Sequence, residues 1–478
     1  MGLLFGTDGV RGKAGQYPLD VTTVRRFGAA LTRALRRGDE RVRVLAGLDT
    51  RESGSWIERE LAAGIRSQGG SLTSAGVIPT PAIAYLTPRM GYAAGVVISA
   101  SHNPFEDNGI KVFSGTGEKF TQRLEEQVES IVADSLWDSA KAWHPPSRAN
   151  SGADVAAGFR PAAVEQIDYR SEYVSRLLRI IHPDERHGSV RIVVDCANGA
   201  TTTVAPRLFN ELGFDAVYIG CEPDGRNINL RCGSTAPELL ERTVVAGGYR
   251  LGIAYDGDGD RVIFVGADGH IVDGDAVMLM CARHMKAEGR LKGDAVVATV
   301  MSNIGLELAL RESGIDTVRC AVGDKHVMEE MVKRGLSLGG EQSGHVIFSE
   351  HLFTGDGLAT SLNVLRTMAA TGRELADLAS DLTTYPQVLM NVRVERRVEL
   401  ATIPEVAEVL SVVESKLAGN GRLLVRYSGT EPLLRVMLEG RDESDIRRWG
   451  QEIIDVVKEH VKPQTPNSKT QGASNAEP

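Results

Sequence analysis

One serine and three aspartates supply the two kinds of group that a metal-assisted phosphoryl transfer needs. Ser101 lies in the segment Gly-Val-Val-Ile-Ser-Ala-Ser-His-Asn-Pro at 95–104, where an apolar stretch passes into a polar turn. Asp256, Asp258 and Asp260 alternate with glycines, which let the three carboxylates converge on one hard cation. The serine could carry a phosphoryl group whose oxygens a cation neutralises, and magnesium is the cation expected for phosphate chemistry.

Other origins of these two patterns must be weighed. A serine in a turn often only caps a neighbouring segment. A hydrolase triad is not predicted, because the GxSxG turn is absent and His102 is expected to point away from Ser101. An EF-hand calcium loop needs glycine where Arg261 stands and glutamate where Ala267 stands. Three carboxylates in a solvated turn would repel one another, so metal binding is the favoured interpretation.

Two further motifs fit a sugar phosphate. Gly-Glu-Gln-Ser-Gly-His at 340–345 offers Glu341 and Ser343 as hydrogen-bonding partners for sugar hydroxyls, although a polar hairpin explains the same residues. Arg-Tyr-Ser-Gly-Thr-Glu-Pro at 426–432 combines a guanidinium, two hydroxyls and a glycine turn. That combination suits a phosphate group, and the alternative is an ordinary turn between two strands.

Length and composition predict a multidomain globular enzyme. A chain of 478 residues is too long for one core and should form three or four domains. Its net charge of −9 argues against nucleic-acid or membrane-surface partners. The expected partner, a small-molecule sugar phosphate, is indicated by the two motifs above. The five scattered cysteines predict reduced thiols. No signal peptide or membrane span is predicted, so the cytoplasm is expected, with monomer and homodimer both open.

Alternating strand and helix patterns predict an α/β fold: three similar domains with mixed or parallel sheets, and a smaller C-terminal α+β domain, around a central cleft. In each of the three repeats the third strand leads into a motif, and ligands bind at such strand ends. The predicted segments are 1–158 with the serine loop, 159–268 with the metal loop, 269–374 with the sugar loop, 375–462 with the phosphate loop, a linker at 147–163 and a disordered tail at 463–478.

In type and order these motifs resemble the α-D-phosphohexomutase superfamily across nearly the whole chain. The opening Phe5-Gly-Thr-Asp-Gly-Val-Arg-Gly12, the pair Ile98-Ser99 before the serine loop, and Gln342 in place of the Met of other branches are most similar to the branch acting on glucosamine phosphates. The resemblance implies a heart-shaped, four-domain molecule. It also implies conversion of glucosamine 6-phosphate to glucosamine 1-phosphate, with glucosamine 1,6-bisphosphate as intermediate and activator. The alternatives are phosphomannomutase or phosphoglucomutase activity, and a non-catalytic sugar-phosphate sensor.

The resemblance also implies a role for each motif residue. Ser101 would be the phosphoserine and would bind one Mg²⁺ with the three aspartates. Catalytic residues besides the serine would be Arg11, His102 and Lys111, with His102 or Lys111 as general acid or base. The implied substrate-binding residues are Arg261, Lys325, Glu341, Ser343, His345, Arg426, Ser428, Gly429, Thr430 and Arg435.

Two positions depart from the superfamily pattern. Gly323-Asp-Lys-His stands where relatives often have Gly-Asp-Arg-Tyr, and Leu48 precedes Asp49-Thr-Arg51 where arginine is common. The resemblance therefore leaves the roles of Lys325 and Arg51 open.

Overall fold

The chain forms two compact units. The structure, a computed structural model, describes residues 4–6, 8–134, 164–181, 190–394, 398–417, 419–427 and 433–461. The first unit contains the described residues up to Ser302 together with Ala309–Leu382, and the second contains Asn303–Leu308 and the described residues from Thr383 onward. The predicted linker at 147–163 and the predicted tail at 463–478 lie outside the described residues.

The first unit contains three sheets flanked by helices. The elements of the first sheet are β1 Val10–Lys13, α1 Val21–Leu35, β2 Arg43–Leu48, α2 Gly54–Ser67, β3 Ser71–Val77, α3 Thr80–Arg89, β4 Ala94–Ile98, β5 Asp107–Ser114, α4 Gln122–Ala133, β6 Glu165–Gln166 and α5 Arg170–Leu177. Those of the second are β7 Arg191–Asp195, α6 Ala205–Glu211, β8 Asp215–Ile219, α7 Glu238–Gly247, β9 Leu251–Tyr255, β10 Val262–Gly266 and β11 Ile271–Val272. Those of the third are α8 Gly274–Ala287, β12 Ala295–Thr299, α9 Ile304–Glu312, β13 Asp316–Cys320, α10 Asp324–Arg334, β14 Leu338–Gly340, β15 Val346–Phe348, α11 Gly357–Thr371 and α12 Leu375–Ala379. Residues 304–308 of α9 belong to the second unit.

These three sheets repeat one strand order. The parallel strands run β4-β2-β3, β9-β7-β8 and β14-β12-β13, so the first strand of each set lies in the middle. An antiparallel strand then pairs with the third member: β5 with β4, β10 with β9, and β15 with β14. Crossover helices connect the parallel strands, as this topology requires. The predicted α/β fold with three similar mixed sheets is confirmed.

Each motif occupies the same place in this repeat, the turn between the third parallel strand and its antiparallel neighbour. Ser101 follows β4, Asp256 follows β9, and Glu341 follows β14. All residues of these three strands are buried, so each strand is fixed by its core and leaves only the turn free for chemistry. The turns therefore lie at the carboxyl ends of parallel strands, where α/β sheets bind ligands.

The second unit contains one antiparallel sheet and two long helices. Its elements are β16 Gln387–Arg393, α13 Pro404–Leu417, β17 Arg422–Tyr427, β18 Leu433–Glu439 and α14 Glu443–His460, with sheet order β16-β18-β17. Buried side chains of the sheet and helices, among them Val406, Leu438 and Ile453, form its core. The smaller C-terminal α+β domain is thus confirmed. Among the described helices of both units, none has the length and apolar character that crossing a bilayer requires.

Candidate active site

Ser101 faces the aspartate loop of the second sheet. Its side chain is buried, and Oγ donates a 2.5 Å hydrogen bond to Asp256 Oδ2. The residue has φ of 55°, a left-handed conformation that side chains rarely adopt. His102 Nδ1 lies 3.4 Å from Ser101 Oγ, so the expectation that His102 points away is wrong. In an extended strand adjacent side chains point to opposite faces, but here the left-handed turn brings both toward the same loop.

The three aspartates converge as a metal site requires. One carboxylate oxygen from each of Asp256, Asp258 and Asp260 lies within 4.8 Å of the others, and all three residues are buried. Asp258 Oδ1 and Asp260 Oδ1 have no hydrogen-bond partner among the described residues. Burial and the neighbouring charges of Asp260 and Asp258 raise the pKa of Asp256 well above its ordinary value. A hard divalent cation such as Mg²⁺ would give these oxygens a partner and would offset the repulsion between the carboxylates.

Lys111 partly neutralises the same loop. Its Nζ donates to Asp258 Oδ2 at 2.8 Å and to Asp260 Oδ2 at 2.9 Å, and it lies 3.1 Å from Asp8 Oδ2. Although burial opposes the charge, Asp258, Asp260 and Asp8 raise the pKa of Lys111 well above its ordinary value. Lys111 is therefore a buried ammonium directed at the carboxylates, rather than the solvated surface charge that a lone lysine usually is.

His102 is held uncharged between two arginines. Arg261 Nη1 donates to His102 Nδ1 at 2.7 Å, so this ring nitrogen accepts the bond. Burial, together with Arg261 and Arg11, lowers the pKa of His102 to about 4. Arg11 itself pairs with Asp8, with 2.5 Å between Nη2 and Oδ2. The structure thus brings Ser101, His102, Lys111, Arg11 and Arg261 around the aspartate loop.

The sugar loop after β14 contributes side chains with different exposures. Ser343 is exposed, whereas Glu341 is buried and its Oε1 accepts a 3.0 Å hydrogen bond from the Gly323 amide. His345 is also buried, with Nε2 3.3 Å from Asp324 Oδ2. Lys325 Nζ donates to Glu125 Oε2 at 2.7 Å. Of these side chains, only Ser343 is openly available to a ligand in this conformation.

Gln342 contacts the scaffold of the loop. Its Nε2 donates to Asp273 Oδ2 at 3.1 Å, and its carbonyl accepts from the Gly274 amide at 2.9 Å. Asp273 is the N-cap of α8, where Oδ1 accepts from the first-turn amides of Asp275 and Ala276. Gln342 therefore connects the sugar loop to the start of α8.

A chain of charged side chains links the first and third sheets, and sequence reasoning missed it. Lys119 Nζ donates to Asp8 Oδ1 at 2.6 Å and also contacts Asp324 Oδ2. Although burial opposes it, Lys111, Lys119 and Arg11 hold the pKa of Asp8 well below its ordinary value. Asp8 and Asp324 belong to the motifs Gly-Thr-Asp-Gly and Gly-Asp-Lys-His, so these motifs could have identified the two aspartates as residues of the site. Nothing in the sequence around Lys119 marks it.

Two glycines at the start of α11 back the aspartate loop, and these too were not predicted. Gly357 N donates to the Gly259 carbonyl at 3.0 Å. A Cβ on Gly355 would lie 2.6 Å from the Asp260 carbonyl oxygen, and one on Gly357 would lie 2.7 Å from that of Arg261. These separations are too short for any side chain, so the Gly-Asp-Gly sequence permits close contact between the two backbones.

In the second unit, Arg426 and Arg435 lie directly opposite each other on β17 and β18. Arg426 is exposed and Arg435 is partly buried. Side chains of directly opposite residues lie on the same face of a sheet, so both arginines are placed where one anion could contact them. Ser428, Gly429 and Thr430 lie outside the described residues.

Comparison with known proteins gives one consistent family. Models of the phosphoglucomutase/phosphomannomutase family match residues 2–138 (alpha/beta/alpha domain I), 171–269 (domain II), 273–385 (domain III) and 389–456 (C-terminal domain). Phosphoglucosamine mutase from Geobacter sp. (strain M21) is 46% identical over 458 residues, covering 96% of this chain and 98% of the relative. The enzyme of that name from Solibacter usitatus is 46% identical over 460 residues, covering 96% and 99%.

Solved structures share the fold at lower identity. A phosphoglucomutase/phosphomannomutase family protein from Burkholderia thailandensis matches with a TM-score of 0.75 and 23% identity, covering 96% of this chain and 97% of that one. The N-acetylphosphoglucosamine mutase of Aspergillus fumigatus, solved in complex with GlcNAc-6P and magnesium, matches with a TM-score of 0.64 and 17% identity, covering 96% of both chains. Repeated sheets, motif loops and four matching domain models agree, and the chain belongs to the phosphoglucomutase/phosphomannomutase family.

Proposed function

We propose that this chain interconverts glucosamine 6-phosphate and glucosamine 1-phosphate, a step that supplies the amino-sugar phosphate for UDP-N-acetylglucosamine. The observation that carries the proposal is the meeting of Ser101 Oγ with Asp256 of the buried three-aspartate loop. It occurs in a chain 46% identical to proteins named phosphoglucosamine mutase over nearly its full length. Family and relatives make the chain an isomerase-type phosphotransferase, and the serine loop supplies a hydroxyl able to carry the phosphoryl group.

The proposed reaction transfers the phosphoryl group twice. In the first transfer the Oγ–P bond of phospho-Ser101 breaks as a bond forms between that phosphorus and the free sugar hydroxyl. The sugar hydroxyl loses its proton to a base, Ser101 Oγ gains a proton from an acid as it leaves phosphorus, and glucosamine 1,6-bisphosphate results. The bisphosphate then reorients in the site. Its other phosphoryl group is transferred to Ser101 Oγ, which leaves glucosamine 1-phosphate as the product. The same bisphosphate would load an unphosphorylated enzyme, which makes it an activator as well.

The charged groups around Ser101 support distinct roles in these transfers. Asp256, Asp258 and Asp260 would hold one Mg²⁺, which neutralises the oxygens of the transferring phosphoryl group when bound. Lys111 and Arg261 would offset negative charge that accumulates on the same oxygens. His102 and Lys111 are the candidates for proton transfer, since His102 Nδ1 lies 3.4 Å from Ser101 Oγ and Lys111 is directed at the aspartate loop.

Substrate recognition is assigned to three groups of residues. Glu341 and Ser343 would bind sugar hydroxyls, with His345 and Lys325 supporting the loops that carry them. Arg261 would bind the reacting phosphate. Arg426, Ser428, Gly429, Thr430 and Arg435 would bind the phosphate that is not being transferred. Arg426 and Arg435 are directly opposite residues of β17 and β18, so their side chains leave the same face of the sheet, which supports the last assignment. The cytoplasm stays the predicted location, on the cysteine pattern.

Comparison of three sugar phosphates tests the substrate. Glucosamine 6-phosphate should give the highest kcat/KM when it is compared with glucose 6-phosphate and mannose 6-phosphate under saturating Mg²⁺. One contact to a sugar substituent discriminates by about 1–3 kcal/mol, or roughly 10- to 200-fold. Steady-state turnover with each compound gives the order. If glucosamine 6-phosphate is the poorest substrate of the three, the alternative phosphomannomutase or phosphoglucomutase activity replaces the proposal.

Substitution of Arg426 tests the phosphate assignment. Arg426→Ala should weaken substrate binding by about 2–4 kcal/mol, because the guanidinium supplies two charge-assisted hydrogen bonds to a phosphate. Arg426→Lys should recover only part of the loss, since an ammonium cannot reproduce the bidentate geometry. Phosphorylation of Ser101 by a small phosphoryl donor should continue. KM and a thermal unfolding curve are measured on each preparation.

The control for Arg426 is Arg447→Ala, which removes an exposed guanidinium of the same unit that pairs with Glu443 on α14. It should leave KM unchanged. An Arg426→Ala protein with lower thermal stability but normal KM would mean that the arginine only supports its strand, and the phosphate assignment would be wrong.

A further inference from the structure

Ser101 is held in an unfavourable backbone conformation. Its φ of 55° is one of six positive values among the described residues other than glycine. A left-handed residue with a side chain persists only where its surroundings enforce that conformation. Such enforcement requires fixed partners for the two peptide groups that flank the residue, because these set its φ and ψ.

Arg51 supplies the partners on the carbonyl side. Its buried guanidinium uses all five of its N–H groups. Nη2 donates to the carbonyl oxygens of Ser101 at 3.0 Å and Asn103 at 2.8 Å. Nη1 donates to that of Asp107 at 3.0 Å and also to that of Pro104. Nε donates to Asp49 Oδ2 at 2.8 Å. One rigid, planar group therefore binds four carbonyls of the serine loop.

Asp49 completes the arrangement on the amide side. The same Oδ2 atom accepts from Ser99 Oγ at 2.6 Å, and Ser99 Oγ in turn accepts from the Ser101 amide at 2.9 Å. Asp49 Oδ1 accepts from the Arg51 amide at 3.0 Å. The Asp49–Arg51 pair thus reaches both peptide groups of Ser101, one through Ser99 and the other directly.

A residue of the second sheet's loops makes a parallel contact. Asn229 Nδ2 donates to the carbonyl oxygens of Ser101 at 2.9 Å and Asn103 at 3.2 Å. Asn229 also has a positive φ, 57°, and its amide donates to the Ala197 carbonyl at 2.8 Å. The Ser101 carbonyl therefore accepts one hydrogen bond from Arg51 of the first sheet's loops and one from Asn229 of the second sheet's loops. These bonds fix the serine loop relative to the aspartates.

We propose that Arg51 and Asn229 are positioning residues for phosphoryl transfer: they hold Ser101 in its left-handed conformation so that Oγ stays directed at the aspartate loop. Neither side chain needs to touch substrate for this. The inference rests on the proposed function, in which Ser101 carries the phosphoryl group. It answers the question that the sequence left open for Arg51, whose guanidinium organises the serine loop.

Arg51→Lys is the principal test, because lysine keeps the charge but offers three donors in place of five. We expect kcat and the rate at which glucosamine 1,6-bisphosphate phosphorylates Ser101 to fall by about 100-fold or more, since small misplacement of a reacting group costs that much. KM for glucosamine 6-phosphate should stay within about three-fold, because a positioning residue does not bind the sugar. Phosphorylation is followed by intact mass in a single turnover.

Arg283→Lys is the matched control. Arg283 pairs with Asp381 at 2.8 Å and donates to the Ala309 carbonyl at 3.3 Å, within the third sheet's helices. It should cost thermal stability as Arg51→Lys does but leave kcat unchanged. Equal kcat losses in the two variants would overturn the inference. So would a rise in KM at constant kcat, which would make Arg51 a binding residue.

Asn229→Gly is a second test, which can be used if Arg51→Lys does not fold. Glycine adopts positive φ without strain, so this variant removes the donor and leaves the loop conformation accessible. A fall in kcat of about 10-fold or more at constant KM supports the inference, and an unchanged kcat overturns it. Failure of the unsubstituted enzyme to become phosphorylated at Ser101 would instead overturn the proposed function, so the two failures are distinguishable.

Discussion

Replacement of Ser101 by alanine is expected to reduce turnover of glucosamine 6-phosphate by about 10⁴-fold or more, because the phosphoryl carrier is removed from the reaction. Ser101 Oγ is the hydroxyl that meets Asp256. Intact-mass measurement should find one phosphoryl group on the unsubstituted protein after treatment with glucosamine 1,6-bisphosphate and none on the variant. Binding of Mg²⁺ and sugar phosphate should persist in Ser101→Ala, since the aspartates and arginines remain.

The control is Ser114→Ala, which removes a hydroxyl at the end of β5 that contacts Thr116 at 2.7 Å. Its turnover and phosphorylation should match those of the unsubstituted protein. Substantial turnover by Ser101→Ala would exclude a phosphoserine mechanism. A protein that binds the bisphosphate but never accepts its phosphoryl group would instead be a non-catalytic sensor, the alternative from a different functional class.

The fold was predictable because its information is local. The strands that precede the motifs, such as β4 and β9, are buried along their whole length, and a fully buried strand in an α/β fold has a continuous apolar sequence. Repetition of that pattern predicted three similar sheets. Ligands bind at the carboxyl ends of such strands, and this rule predicted that the serine, aspartate and sugar loops belong to the functional site.

Not all contacts between sheets were predictable, because they join residues far apart in sequence. The resemblance implied a place for Lys111 beside Ser101, but Lys119 belongs to no motif, and the structure places its partly buried ammonium against Asp324 of the third sheet. Burial makes each charge depend on its partners, and no sequence pattern identifies those partners.

The backbone conformation at Ser101 was also not predictable from the sequence. His102 was expected to point away from Ser101, but the positive φ of Ser101 places His102 Nδ1 near Oγ. That conformation is enforced by Arg51 and Asn229, which are separated from the serine in the chain. A turn whose geometry depends on distant partners cannot be inferred from its own residues.

Removal of divalent cations is the second change expected to have a large effect. Excess chelator should lower turnover by about 10³-fold or more, and added Mg²⁺ should restore it, because the cation stabilises charge on the transferring oxygens. The structural reason lies in Asp258 Oδ1 and Asp260 Oδ1, which are buried without hydrogen-bond partners in the described part of the chain. Lys111 pairs with Asp258 and Asp260 through their Oδ2 atoms, which leaves the two Oδ1 atoms for a cation to bind.

Asp258→Asn tests the metal ligands separately from turnover. Asp258 Oδ2 accepts bonds from Lys111 at 2.8 Å and from Thr80 at 2.6 Å, and an asparagine oxygen could keep both. Its amide group would then replace Oδ1, the unpaired oxygen. Mg²⁺ affinity, measured by calorimetry, should fall by about 100-fold or more, or roughly 2.7 kcal/mol. The rise in melting temperature that Mg²⁺ gives the unsubstituted protein should also largely disappear.

Asp268→Asn is the matched control for the metal site. It removes one negative charge from the exposed turn of the same sheet, where Oδ1 accepts a 3.0 Å bond from the His270 amide that asparagine can also accept. A general electrostatic effect would weaken Mg²⁺ binding in both variants, whereas loss of a ligand weakens it only in Asp258→Asn. Equal affinities in the two variants would remove Asp258 from the site. Undiminished turnover in excess chelator would exclude a role for the metal ion in catalysis. Lys111 and the arginines would then have to stabilise the transferring phosphoryl group by themselves.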